Sequence, residues 1–298
     1  MTAESHFKGW AKPGPVPPGL VDGLTIASDE TLDAISGHFR LFQLREGHRF
    51  STDDILTAWY GTAWCPTART ALDLGSGIGT VGMIVAWRLP GARLVTVEAQ
   101  SQSVALARKS ARFNGVGERY EIREGDFREA GVLREGELFD LVTGSPPYFP
   151  PGSGIESEHP QKLACRFELR GTVADYCAAA AKHLAPGGFF ACVFPYEPAQ
   201  LTRVESGARE AGLVIVRRRP VVFREGEPPD GGRIVAPGPD LAEGKRELER
   251  FLFERVYRCE RVLAVRVPAQ QRLRQLFDWY VARPEELPRG FQIGRAHV

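Results

Sequence analysis

Apolar and polar positions along the chain change rhythm near Ala71. From there on, short apolar runs alternate with longer stretches whose apolar residues recur every three or four positions. The runs predict strands over 71–75, 92–98, 119–123, 138–144, 188–194 and 213–222. The longer stretches predict helices over 79–88, 101–114, 172–184 and 198–211. Alternation of this kind predicts a parallel sheet with helices on both faces and a ligand site beyond the carboxyl ends of the strands. Upstream, Leu24 to Leu44 holds short strand-like pieces, with Phe39, Leu41, Phe42 and Leu44 near its end. Ser51-Thr52-Asp53-Asp54 ahead of Ile55, Leu56, Ala58 and Trp59 reads as an N-capped helix start. Residues 1–19, rich in Pro and Gly, predict a flexible arm. Beyond Phe223 a run of prolines and glycines marks loops, Leu241 to Arg258 reads as a charged amphipathic helix, and Val262 to Val267 as a strand.

Composition narrows this only a little. With 298 residues, 43% of them hydrophobic and 25% charged, the chain has the makeup of an ordinary globular α/β protein. A net charge of +1 argues against a uniformly basic nucleic-acid binder but leaves room for a local basic face. No stretch is apolar enough for a membrane span, and the N-terminus has no signal-peptide core, so a cytoplasmic location is expected. The five cysteines form no Cys-x-x-Cys pair, which predicts free thiols and no metal site.

Ala71-Leu-Asp-Leu-Gly75-Ser-Gly77-Ile-Gly79 is an apolar strand breaking into a loop with glycine at alternate positions. Strand, glycine loop and helix bring backbone close to a bound ligand. A nicotinamide fingerprint has Gly-x-Gly-x-x-Gly and seats a pyrophosphate. Here Asp73 precedes the loop; it repels a pyrophosphate and suits a cationic amine, which points to S-adenosylmethionine as the cofactor. Glu98 closes the next strand about 20 residues on, the offset at which a carboxylate accepts both hydroxyls of a ribose. Asp73, Glu98, Asp126 and Ser145 all fall at or just after predicted strand ends, so one cleft can collect them.

The chemistry-bearing stretch is Phe139 to Phe149, where a buried strand runs into Ser145-Pro146-Pro147-Tyr148. Two prolines remove two N–H donors and leave a rim of acceptors: the Ser145 hydroxyl and the Pro146 carbonyl. Such a rim suits a planar group with an NH₂, stacked on Tyr148. Two acceptors on an amine bias its nitrogen toward attack and stabilise the positive charge that grows as a methyl group arrives. The expected catalytic residues are therefore Ser145, Pro146 and Tyr148. A loop after Tyr148, followed by His159, Lys162, Arg166, Phe167 and Arg170, suits a lid over a nucleic acid and equally an ordinary charged surface. Arg217-Arg218-Arg219, on a strand, would point to opposite sides and not make one patch.

Residues 40–195 resemble the class I S-adenosylmethionine-dependent methyltransferases, and within them the bacterial tRNA adenine-N6 methyltransferases. The resemblance rests on Phe42-Gln43, His48 to Asp53, the glycine loop, Glu98, Gly125-Asp126 and Ser145 to Phe149. It implies a Rossmann-like α/β fold with a mostly parallel, seven-stranded sheet, and tRNA as the nucleic-acid partner. It also implies a cofactor set of Asp53, Asp73, Gly75, Gly77, Gly79, Glu98, Asp126 and Phe127, with Asp126 on the adenine amine, Phe127 on its ring and Asp53 near the methionine end. His48 is expected to be structural. Serine at 145 departs from the family's usual asparagine and resembles cytosine-N4 DNA methyltransferases, which leaves the target base open. Glutamine methyltransferases of release factors, DNA base methyltransferases and a non-catalytic cofactor-binding scaffold are the alternatives; the complete glycine loop and acceptor rim argue against the last. The expected organisation is an arm over 1–19, a methyltransferase domain over 20–268 with its core at 60–225, an extension over 269–292, and a non-native tail over 293–298, whose sequence resembles a translated adapter oligonucleotide.

Overall fold

The computed structural model describes residues 6–7, 10–152 and 159–221, together with 268, 271–272, 274–276, 278–280, 282–283 and 286. The chain divides into two compact units, Met1–Val235 and Ala236–Val298; the expected end of the methyltransferase domain at 268 lies beyond this division.

The first unit opens with a two-residue hairpin of β1 (His6–Phe7) and β2 (Trp10–Ala11). A second antiparallel hairpin follows, β3 (Glu30–Ser36) and β4 (Phe39–Leu44). Strands and helices then alternate through α1 (Thr52–Trp64), β5 (Thr70–Leu74), α2 (Thr80–Arg88), β6 (Arg93–Glu98), α3 (Ser101–Asn114), β7 (Tyr120–Glu124) and β8 (Phe139–Gly144). The series continues with α4 (Pro160–Arg166), α5 (Val173–His183), β9 (Leu184–Cys192) and α6 (Pro198–Glu210). The main sheet runs β7-β6-β5-β8-β9 with every pair parallel. The order reverses at β5, whose two neighbours β6 and β8 lead to opposite edges. A crevice therefore opens beyond the carboxyl ends of β5, β6 and β8.

The strands are apolar runs because both faces are covered. Leu72, Leu74, Val97, Leu141 and Val142 are all buried in the core. The β3–β4 hairpin is tied to α3 by polar as well as apolar contacts. Asn114 accepts from Arg40 N (2.9 Å) and donates to Arg40 O (2.7 Å), and Phe42 N donates to Ser110 Oγ (3.0 Å). The fully buried Gln43 accepts from Phe50 N and donates to Asp33, which fixes the chain entering α1.

One expectation needs correction. Among the described residues the main sheet shows five of the expected seven strands. The expected strand over 213–222 is not one across 213–221, and 222 and the expected strand over 262–267 lie outside the described residues. Side chains hold the 213–221 segment instead of a ladder. The guanidinium groups of Arg217 and Arg219 lie over the rings of Trp64 and Trp59 on α1, 5.0 and 4.9 Å from their centroids. Arg218 pairs with Glu205 on α6. The three arginines do part to two sides, as expected, and Pro220 lacks the N–H a ladder requires. Among the described residues no helix is long and apolar enough to cross a membrane.

Candidate active site

A cleft of about 360 Å³ occupies the crevice at the switch point. Its lining includes Asp53, Asp73, Gly75, Gly77, Glu98, Asp126, Phe127, Ser145, Pro146 and Tyr148, so ten residues expected from the sequence meet in one place. Gly79 is not among the lining residues. It is buried at the start of α2, and a Cβ there would sit 3.2 Å from the Ala107 Cβ, so its role is to let α2 approach α3.

The floor is made by two buried carboxylates at strand ends. Asp73 accepts from Thr143 Oγ1 (2.9 Å) and from Gly82 N (3.1 Å) in the first turn of α2. Burial, partly offset by the Thr143 hydrogen bond, pushes its pKa up to about 7. Glu98 accepts from Gly77 N (2.8 Å) on one oxygen and from Gln100 N (2.7 Å) on the other, and burial raises its pKa as well. These bonds pin the glycine loop to the end of β6. A carboxylate has about four acceptor positions, so Glu98 retains capacity for hydroxyl donors. Gly77 has φ 55°, and a Cβ there would meet nothing within 4 Å because it would project into open space.

One wall is formed by Phe127, stacked edge-on against the buried Tyr176 with ring centroids 4.7 Å apart. Beside it Asp126 accepts from the backbone and the guanidinium of Arg128, which holds its carboxyl below the ordinary range. The opposite wall comes from the loop after β8. The Tyr148 hydroxyl donates to Asp53 Oδ2 (2.8 Å), and its ring meets Phe194 edge-on at 5.4 Å. Gln200 on α6 donates to the Tyr148 carbonyl (3.2 Å), so the aromatic is clamped at both ends. Asp53 thus faces Tyr148, a partner that its expected place near the methionine end did not include.

The segment 159–170 closes a third side through Ala164, Cys165, Arg166 and Arg170. Gln161 anchors it, accepting from His48 N (2.8 Å) and donating to Ser103 Oγ (3.0 Å). His48 lines the cleft, and burial with the nearby Arg166 and Lys162 lowers its pKa. Part of the expected lid, 153–158, lies outside the described residues.

The cleft also holds residues that sequence reading passed over. Asp54, which its sequence neighbours make part of a helix cap, lines it together with Ser76 and Tyr176. The hydroxyls of Ser76 and Ser145 are buried without a hydrogen-bond partner among the described residues. These features fit S-adenosylmethionine: a buried acid for the ammonium, a second acid for the ribose, an open glycine edge and an aromatic ring. A phosphate-bearing dinucleotide would meet two carboxylates instead.

Comparison with known proteins agrees with this geometry. Residues 62–199 match the family described as methyltransferase small domain, and residues 235–297 match one described as phosphohydrolase-associated domain. The chain is 32% identical over 150 residues to a tRNA1(Val) (adenine(37)-N6)-methyltransferase of Aeromonas hydrophila, covering 49% of this chain and 59% of that one. It is 38% identical over 80 residues to a release factor glutamine methyltransferase of Chlorobaculum tepidum, covering 26% of this chain and 27% of that one. A third relative, a deoxyguanosinetriphosphate triphosphohydrolase-like protein of Geobacter metallireducens, is 51% identical over 70 residues, covering 22% of this chain and 18% of that one. The chain therefore spans between about a fifth and three fifths of the curated relatives it matches. Residues 62–199 are a methyltransferase domain of the class I, S-adenosylmethionine-dependent kind.

Proposed function

We propose that the protein is an N-methyltransferase acting on the exocyclic N6 amine of an adenine in tRNA. The observation that carries the reading is the buried Ser145 hydroxyl, without a hydrogen-bond partner among the described residues, beside Pro146, whose following residue is again a proline. An acceptor pair without competing donors is what an aromatic NH₂ requires. The bound cofactor supplies an electrophilic methyl group on a sulfonium. Asp73 holds its ammonium, Glu98 its ribose, and Phe127 with Asp126 its adenine. Ser145 and the Pro146 carbonyl hold the target amine, and Tyr148 offers its ring to the flipped base. Positioning and charge stabilisation then account for catalysis without a strong base. The exposed Arg166 and Arg170 line the cleft and Lys162 lies near His48; none has an ion-pair partner among the described residues, and the three suit phosphates.

Incubation with labelled S-adenosylmethionine and separate pools of RNA, DNA and protein tests the proposal. Labelled N6-methyladenosine from tRNA is the expected product. Label in DNA cytosine or in protein glutamine would reject the adenine reading while keeping the acceptor rim. The glutamine alternative has one specific support, the similarity of 80 residues to a release factor enzyme.

A further inference from the structure

Ser145 raises a problem of hydrogen-bond direction. A hydroxyl has two acceptor lone pairs and one hydrogen that must go somewhere. An amide oxygen in that place would be an acceptor only. If the Ser145 hydrogen turned toward the incoming amine, the rim would present a donor to a donor. Something must draw it away, and Ser145 Oγ is buried with no partner in bonding geometry among the described residues.

Asp54 is the candidate acceptor, a buried carboxylate on the same cleft. Its interaction with the Ser145 hydroxyl favours the charged carboxylate. The first turn of α1 holds it there. Ser51 N (2.9 Å) and Ser51 Oγ (3.3 Å) both donate to Asp54 Oδ2, which leaves Oδ1 for Ser145. The neighbouring Asp53 is engaged by Tyr148, and Asp54, next to it on the same helical turn, lines the cleft that Ser145 also lines.

We propose that Asp54 is the positioning residue of the acceptor rim: it takes the Ser145 hydrogen and so turns the Ser145 lone pairs toward the amine. This rests on the amine-methylating reading and explains how serine serves where an asparagine amide would otherwise do so. An ionised carboxylate is acceptor-only and enforces the arrangement; a protonated one donates to Ser145 and uses up a lone pair. The titratable groups around Asp54 are Asp53 on the same helix, Asp73 from β5, Tyr148 from the loop after β8, and Cys165 from α4. Burial among these acids pushes the Asp54 pKa up to about 6, so turnover should fall as pH drops through that value.

Two measurements decide it. In donor-free protein with ¹³C-labelled aspartate carboxyls, assigned by D54N, the Asp54 titration should move upward in S145A, because the Ser145 hydrogen bond favours the ionised form. The helix cap is untouched in that variant. An unmoved titration overturns the pairing. With tRNA and donor, D54N should lower kcat by about tenfold at pH 8 and remove the acidic limb. In the S145N background, whose amide oxygen needs no such help, the same D54N change should cost less than about threefold. Equal losses in both backgrounds reduce Asp54 to a helix cap and overturn the proposal. If the parent protein methylates no RNA adenine, the functional reading fails, and the donor-free titration still decides whether Asp54 holds Ser145.

Discussion

At the residue scale the cleft trades stability for binding. Asp73 is buried, and its pKa stands at about 7 against 3.8 for the unperturbed group. Between those values the folded chain binds a proton that the unfolded chain releases. The Asp73 contribution to stability is therefore fully present below about pH 4 and is lost as pH rises through about 7. Thermal melts should show stability declining over that window, and Asp73→Asn should flatten the decline. A cationic amine reverses the balance, since it favours the ionised acid. Affinity for S-adenosylmethionine should rise with pH through about 7, and Asp73→Asn should weaken it by about 2–3 kcal/mol, the worth of a charge-assisted bond, measured by calorimetry. Tyr148 gives a second contrast. Tyr148→Phe keeps the ring but loses the bond to Asp53, a loss of about 1 kcal/mol in positioning, so kcat should fall severalfold with donor affinity unchanged. Tyr148→Ala should fall much further, because the stacking face goes too.

At the scale of elements, the sequence was legible wherever a local pattern decides the structure. The helix expected over 101–114 is α3 to the residue, and four strands follow their apolar runs closely. The glycine loop was legible because its conformation demands it. Gly75 has φ 59°, and a Cβ there would sit 2.1 Å from the Tyr176 hydroxyl; Gly77 has φ 55° and faces open space. The two should part company on substitution. Gly75→Ala combines strain with a clash against a buried ring and should destabilise the fold by about 2 kcal/mol or more in denaturant melts. Gly77→Ala should cost about 1 kcal/mol of stability yet abolish donor binding, because its methyl enters the cleft. Equal effects on both readouts would contradict this division. Illegible features were those set by distant parts of the chain. Asp54 reads as a cap from its neighbours alone; only the fold brings Ser145 to it from 91 positions later. The 213–221 segment has the composition of a strand, but its arginines find indole rings and Glu205 instead. The phosphohydrolase-associated stretch over 235–297 carried no chemistry-bearing motif to read.

At the scale of the whole molecule, charge limits how an RNA can be held. With 38 basic and 37 acidic residues the chain offers no general attraction to phosphates. The cleft itself is acidic, since Asp53, Asp54, Asp73, Glu98 and Asp126 all line it. On the proposed function, phosphates would meet the exposed Arg166 and Arg170 that line the cleft, with the half-buried Lys162 near His48. Each phosphate neutralised on a single strand contributes a slope of about −0.7 to log K against log salt concentration. Three such contacts give a slope of about −2, shallow beside that of proteins that track a backbone along its length. Filter binding of tRNA between low and physiological salt should return a slope near this value. Arg166→Ala should reduce it by about one contact and weaken binding without altering S-adenosylmethionine affinity, because the donor site lies on the buried acids below. A slope several times steeper would mean that another basic surface carries the RNA, with Arg217 and Arg219 on the α1 face as the first residues to replace.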